Sequence, residues 1–313
     1  MAPTSSSFAL LVALLALAPS LHAAPPTSIS GLLARQDDII PLTREEVSAF
    51  KPYTWYAATT ACNLSAIMEW NCGTNCEANP TFKPIATGGD GDYTQFWFAG
   101  YDPTLDTVIV AHQGTDVSKL LPVLIDLDIL QVNLNSTLFP GVDPSVLVHE
   151  GFAGTHSRSA PGVIAAVQQA LSMSQRKTIT RLTFRMTLTG AAIALLDAVY
   201  LPLHLPSDVT VSYRGYASPR VGNQAFADYV DSLGMSATRV NNKEDPVPVL
   251  PPIQILGYHH VSGEIHIRDD NVWVSCPGQD NPSAQCSTGD VNFSNFNATQ
   301  HPGPFDGVSM GTC

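Results

Sequence analysis

The chain has 313 residues, 44% of them hydrophobic, and carries 27 acidic against 15 basic side chains, a formal net charge of −12 at pH 7. The apolar content and length suit one large α/β domain with a sizeable core. The acidic balance argues against a polyanionic partner, because binding nucleic acid requires clustered cations over the phosphates.

In chain order, residues 1–23 read as a secretion signal. The apolar run Phe8–Ala18 is too short to span a bilayer, and small residues follow at Ala23 and Ala24. Residues 24–42, rich in Pro, Ser and Ala, read as a linker or propeptide, and residues 43–313 as the folded domain. No later stretch is long and apolar enough for a transmembrane anchor, so a secreted, extracellular product is expected. Four N-x-[ST] sequons, at Asn63, Asn135, Asn292 and Asn297, agree with export and make a glycoprotein the expectation. The six cysteines, Cys62, Cys72, Cys76, Cys276, Cys286 and Cys313, include no C-x-x-C pair and have no histidine at ligand spacing beside them. Disulfides are therefore expected rather than a metal site, with fifteen connectivities open.

From Thr43 to Ser65 the pattern is helical, opening on Thr43 with Glu45 and Glu46 behind it. The turn Gly88–Asp92 separates Phe82–Thr87 from a strand expected in Tyr93–Tyr101. Thr107–Ala111 is a short β-branched run of the kind covered on both faces, and it ends in His112-Gln113-Gly114-Thr115-Asp116. Residues 119–124 are apolar, fitting either core or an amphipathic lid, and Ile125–Leu134 alternates as a half-exposed strand does. A helix is expected over Pro161–Leu171, then a strand ending near Gly190 and a helix over Ala191–Leu201. Further on come a strand at Asp208–Tyr213, a helix at Asn223–Leu233, a strand at Ala237–Asn241, and a hairpin of Glu264–Ile267 with Val272–Val274. Strands alternating with helices imply an α/β fold with a mostly parallel central sheet and helices on both faces.

Several stretches in this order, VIVAHQGTD at 108–116, VHEGF at 148–152, GAAIALLDAVY at 190–200, YASPRVGN at 216–223, NNKEDPVPVLPP at 241–252 and the final QHPGPFDGVSMGTC, resemble the secreted fungal-type triacylglycerol lipases, the class 3 lipases. The resemblance runs from about Thr43 to Cys313 and implies an α/β-hydrolase whose Ser, Asp and His hydrolyse carboxylic esters. Position by position, it places the catalytic acid at Asp245 and the base at His301. Oxyanion donors fall at Thr115 and at the amide of Thr189, and the lid at residues 116–125. His112 and His149 become supports, and His259, His260 and His266 structural side chains. It implies the pairs Cys62–Cys313, Cys72–Cys76 and Cys276–Cys286, no metal or organic cofactor, a monomer, and an acylglycerol or other ester met at a lipid–water interface. A feruloyl-type esterase shares the scaffold.

One segment departs from the family pattern. Gly190 matches the closing glycine of G-x-S-x-G, which puts Leu188 on the serine, Thr187 on the usual histidine and Met186 on the opening glycine. The strand before it alternates Leu182, Phe184 and Met186 with Thr183, Arg185 and Thr187, unlike a central parallel strand, and the nearby Arg176, Lys177, Arg181 and Arg185 form a basic cluster. A substitute nucleophile at Thr187 or Thr189 would be β-branched and one residue out of step. The other accounts are a catalytically silent lipid-binding relative, or a shifted reading frame around residues 174–189. The frame account is favoured by the confinement of the departure to one segment. Codons for Met-Thr-Leu-Thr read one base later can spell His-Ser-Leu after a leading TGA, and an intact Met-Thr-Leu-Thr reading in the transcript would sink that account. As it stands, the chain is expected to be inactive or nearly so.

Overall fold

The structure is a computed structural model that describes residues 38–114, 130–174, 178–183 and 188–313, with the backbone alone for 178–183 and Leu188. The chain enters through a short strand, β1 (Ile40–Pro41), which lies in the stretch read as linker and pairs with the sheet edge. Helix α1 (Arg44–Ser48) starts where the sequence places it. Thr43 Oγ1 accepts from the Glu46 amide at 3.3 Å while the Thr43 amide donates to Glu46 Oε2 at 2.8 Å, a reciprocal capping box. Helices α2 (Lys51–Thr59), α3 (Leu64–Met68) and α4 (Thr74–Glu77) follow, so the stretch Thr43–Ser65 read as helical holds α1, α2 and the start of α3.

Strands β2 (Lys83–Gly88), β3 (Trp97–Asp102) and β4 (Thr107–His112) form an antiparallel ribbon, and β5 (Gln131–Asn133) and β6 (Leu147–His149) lead to helix α5 (Glu150–Leu171). Next come β7 (Thr178–Thr183), α6 (Leu188–Tyr200), β8 (Thr210–Tyr216), β9 (Gly222–Asn223), α7 (Gln224–Ser232) and β10 (Ser236–Asn242). The chain closes through α8 (Ile253–Leu256), β11 (Tyr258–His259), β12 (Glu264–Ile267), β13 (Trp273–Cys276) and α9 (Ser287–Asp290).

Among the described residues the main sheet has nine strands in the order β1-β13-β12-β10-β8-β7-β4-β3-β2. Its five middle strands, β12 to β4, are parallel, and an antiparallel pair flanks them on each side. Period-two alternation sorts the core. In β4, Val108 and Val110 join the cluster of Val163, Val167, Ala192 and Leu196 from α5 and α6, while Ile109 and Ala111 join Tyr56, Phe82 and Phe98 on the opposite face. Helix α6 is apolar on nearly every side, as a helix buried all round must be, and Ala191, Ala192, Ala194 and Ala198 let it lie close to the strands. The helix-covered sheet with a parallel centre is what the alternation of strands and helices implied, and the α/β-hydrolase arrangement is what the resemblance implied.

Two readings need correction. Helix α5 begins eleven residues before Pro161, at Glu150, because Phe152, Thr155, His156, Ser159 and Val163 keep a buried face at helical spacing through a glycine- and serine-rich sequence. Tertiary burial there outweighs weak propensity and an interior proline, which alone is worth about 3 kcal/mol against a helix. Among the described residues a second sheet of four short strands, β11-β9-β6-β5, was signalled only by the alternating stretch Ile125–Leu134, since strands of two or three residues carry no readable period of their own. It absorbs the described end of the alternating stretch, Gln131–Asn133, while residues 125–129 lie outside the described residues. Disulfides join Cys62 to Cys313, Cys72 to Cys76 and Cys276 to Cys286, the pairs that the resemblance implied.

Candidate active site

Two loops at the carboxyl ends of the parallel strands carry the pair singled out in the sequence. After β10 the chain reverses at Lys243, whose φ is +49°, and Asp245 follows with its amide bonded to Asn242 O at 3.1 Å. Asp245 Oδ1 accepts from the Val247 amide at 3.0 Å, which turns the other oxygen, Oδ2, toward His301 Nδ1 at 2.8 Å. Both side chains are buried. A carboxylate bonded to Nδ1 fixes the tautomer with the proton there, which leaves Nε2 as the atom able to take and return a proton. The imidazolium formed on that transfer is stabilised by the same carboxylate, in a site where water does not screen the charge.

The loops are stitched together by one backbone bond and one side-chain bond. Asn297 N donates to Glu244 O at 3.0 Å, and Asn242 Nδ2 to Gln300 O at 2.7 Å. Behind them, Arg220 Nε meets Asp280 Oδ1 at 2.8 Å, and its Nη1 donates to the carbonyls of Val249 and Pro251. A buried arginine thus clamps the chain that follows Asp245 by satisfying carbonyls that would otherwise lie unpaired. His260 caps the same loop, with Nε2 at 2.6 Å from Pro248 O, and its pKa is held well below the ordinary histidine value, first by burial and then by the charge of Arg239. His266 lies between Gln285 O and Lys243 O at 3.0 and 3.1 Å. His259 lies 3.4 Å from Asp280. All three histidines sit in the scaffold around the pair.

Thr189 is buried in the first turn of α6, where amides have no partner within the helix and face an anion favourably. Leu188 begins that helix. Thr115, the residues of the implied lid at 116–125, Met186 and Thr187 lie outside the described residues. Of the implied site, the structure therefore brings Asp245 and His301 together and places Thr189 at a helix start.

Sequence reasoning did not find a buried cluster of two histidines and an aspartate elsewhere in the scaffold. His112 Nε2 lies 2.6 Å from Asp197 Oδ2, and His156 Nε2 lies 3.2 Å from Asp197 Oδ1, with all three side chains essentially inaccessible. The 3.2 Å approach has ion-pair distance without hydrogen-bond alignment, so the His112 contact is the stronger of the two. The carboxylate bridges the end of β4, two residues before Gly114, to α5 and α6. Asp197 alone among apolar helix positions was a signal for it, since a buried acid requires a partner. His149 is the N-cap of α5, its Nδ1 accepting from the Gly151 amide at 3.0 Å and its ring stacked on Phe152 at 4.3 Å. Burial lowers its pKa to about 4.

The chain matches the lipase (class 3) family model over residues 109–255. It is 31% identical over 179 residues to the secreted mono- and diacylglycerol lipase MDL5 of Malassezia globosa, covering 56% of this chain and 55% of that protein. To MDL2 of the same organism, also named a secreted mono- and diacylglycerol lipase, it is 30% identical over 240 residues, covering 71% of this chain and 76% of that protein. The structure superposes on the triacylglyceride lipase of Rhizomucor miehei with a TM-score of 0.72 at 25% identity, covering 88% of this chain and all of the other. The aligned part thus spans little more than half of the first relative and about three quarters of the second. Shared sequence across strand, helix and the Asp245 loop, together with the shared fold, assigns the family: the chain belongs to the class 3 lipases.

Proposed function

We propose that this is a secreted ester hydrolase scaffold of the lipase type, built for acylglycerols, whose present chain has lost turnover because leucine occupies the nucleophile position. The observation that carries the hydrolase part is the buried His301–Asp245 pair, 2.8 Å apart and held by two mutually bonded loops. In this reading the amides of Thr115 and Thr189 hold the oxyanion, which in such enzymes is worth about 10²–10³ in rate per donor. The mono- and diacylglycerol specificity in the names of the relatives supports an acylglycerol substrate. Leu130 and Ile255, both exposed on segments that a hydrogen bond from Gln131 Nε2 to Leu256 O joins at 2.9 Å, support contact with a lipid surface. Among the described residues no helix is long and apolar enough to cross a membrane, and the relatives are named as secreted.

The test is turnover of a short-chain chromogenic ester, run beside labelling by a serine-directed organophosphonate. The chain as it stands is expected to hydrolyse the ester at the rate of buffer and to take no label. Replacing Met186→Gly, Thr187→His and Leu188→Ser together is expected to restore both. Turnover by the unaltered chain that His301→Ala abolishes would overturn the claim of lost activity, and a restored chain that stays silent would overturn the assignment of the site. Leu188 itself favours one second reading, a protein that holds lipid without cleaving it, which would bind a non-hydrolysable acyl ether and never take the label.

A further inference from the structure

Between residues 249–254, which follow the Asp245 loop, and residues 288–296, which precede the His301 loop, lies a cavity of about 250 Å³ that the hydrolase reading does not use. Its floor is Arg220 and Thr288, and its wall and rim are Ile253, Phe296, Phe293 and Asn292. Phe293 is 70% exposed, and its ring lies 4.9 Å from that of Phe296, so two aromatic rings stand at the mouth, the outer one largely open to solvent. The floor carries no net charge, because Asp280 neutralises Arg220 at 2.8 Å. An apolar aromatic wall over a neutral, hydrogen-bonding floor suits a neutral polyhydroxyl ligand better than an anion. Asn292, on the rim, opens the sequon Asn292-Phe293-Ser294.

We propose that Asn292 carries an N-linked glycan whose first sugar lies over Phe293 and Phe296 and roofs this cavity. None of the other three sequon asparagines lines this cavity. Asn63 caps α3 and Asn135 bonds the Thr137 amide, and neither lines the cavity, while Asn297 is half-buried, caps the turn before His301 and is pinned by Glu244. At Asn292 the side-chain oxygen accepts from the Ser294 amide at 3.0 Å and from its hydroxyl, which leaves Nδ2 exposed with a single long contact of 3.4 Å to Asp290 O. In the transfer, Nδ2 loses one proton and bonds to C1 of the first N-acetylhexosamine of a lipid-pyrophosphate-linked oligosaccharide. The C1–O bond to the pyrophosphate breaks, and the lipid pyrophosphate leaves with the bonding pair. The C–H face of the sugar then meets the electron-rich faces of the rings.

The test uses the full chain secreted from a eukaryotic host, with glycopeptide mass spectrometry at residue 292 and thermal melting. Asn292 is expected to be occupied in the parent and in Ser294→Thr, and empty in Ser294→Ala, with Tm about 2 °C lower in Ser294→Ala than in Ser294→Thr. In a Phe296→Leu background that difference is expected to fall by at least about half, since coupled groups depart from additivity. An unmodified Asn292 in the secreted parent overturns the proposal and leaves the cavity to an acyl chain. An equal Tm difference in both backgrounds overturns the roofing of the cavity by the sugar.

Discussion

At the scale of single residues, His149 shows how one side chain caps a helix and makes the fold sensitive to acid. Its Nδ1 accepts from the Gly151 amide, which requires a neutral ring, and burial holds the pKa at about 4 against an ordinary 6.5. The folded chain therefore resists protonation that the unfolded chain accepts. The stability this confers is complete above pH 6.5 and is lost as pH falls toward 4, on the order of 3 kcal/mol in all. His149→Asn keeps a capping oxygen and removes the titration. Melting curves between pH 4 and 7 are expected to fall less steeply in that variant, with a residual slope from His260, whose pKa burial and Arg239 lower in the same direction. An unchanged slope would mean that His149 is not the titrating group. Asp245 and His301, by contrast, were reached through the resemblance, which places an acid and a base on these two motifs, and the structure brings the two side chains to 2.8 Å.

At the scale of elements, what was legible followed from periodicity. Strand β4 was readable as a run covered on both faces, and the structure divides its residues between two cores accordingly. The start of α5 was not, because its first half is weak in propensity and is helical only through burial of Phe152, His156 and Val163. The bridge of His112, Asp197 and His156 was illegible for another reason: its members come from three elements 41 to 85 residues apart, and no local pattern joins them. It binds the end of β4 to α5 and α6 through one buried carboxylate. Asp197→Ala removes the carboxylate that His112 bonds and His156 faces, both buried, and is expected to cost about 3–5 kcal/mol. Replacing all three together, His112→Phe, His156→Leu and Asp197→Leu, is expected to cost less than Asp197→Ala alone, since well-packed apolar groups avoid the desolvation of a buried charge. Chemical denaturation decides the order, and a triple variant less stable than Asp197→Ala would show that the bridge stabilises the fold beyond satisfying its own members.

At the scale of the molecule, the sheet is covered on both faces, its two edge strands β1 and β2 are consecutive in the chain, and one covalent link spans nearly the whole domain. Cys62–Cys313 joins residues 251 apart, from the loop after α2 to the last residue, whereas Cys72–Cys76 closes a loop of 4. The segment it anchors contributes Phe305, Val308 and Met310 to the core with Phe50, Val240 and Ile265, and begins just after His301. Cross-linking restricts the unfolded chain in proportion to the logarithm of the loop, so the long link is worth roughly 4 kcal/mol more than the short one. Paired alanine replacement at Cys62 and Cys313 is therefore expected to lower Tm well below that of paired replacement at Cys72 and Cys76. Because the freed segment holds one side of the His301 loop, the same variant is expected to lose protection from hydrogen exchange first around residues 297–310, ahead of the central strands. Equal melting temperatures for the two double variants would place the stabilisation in the packing of Phe305 and Met310 alone, with the unfolded chain already held compact by other means.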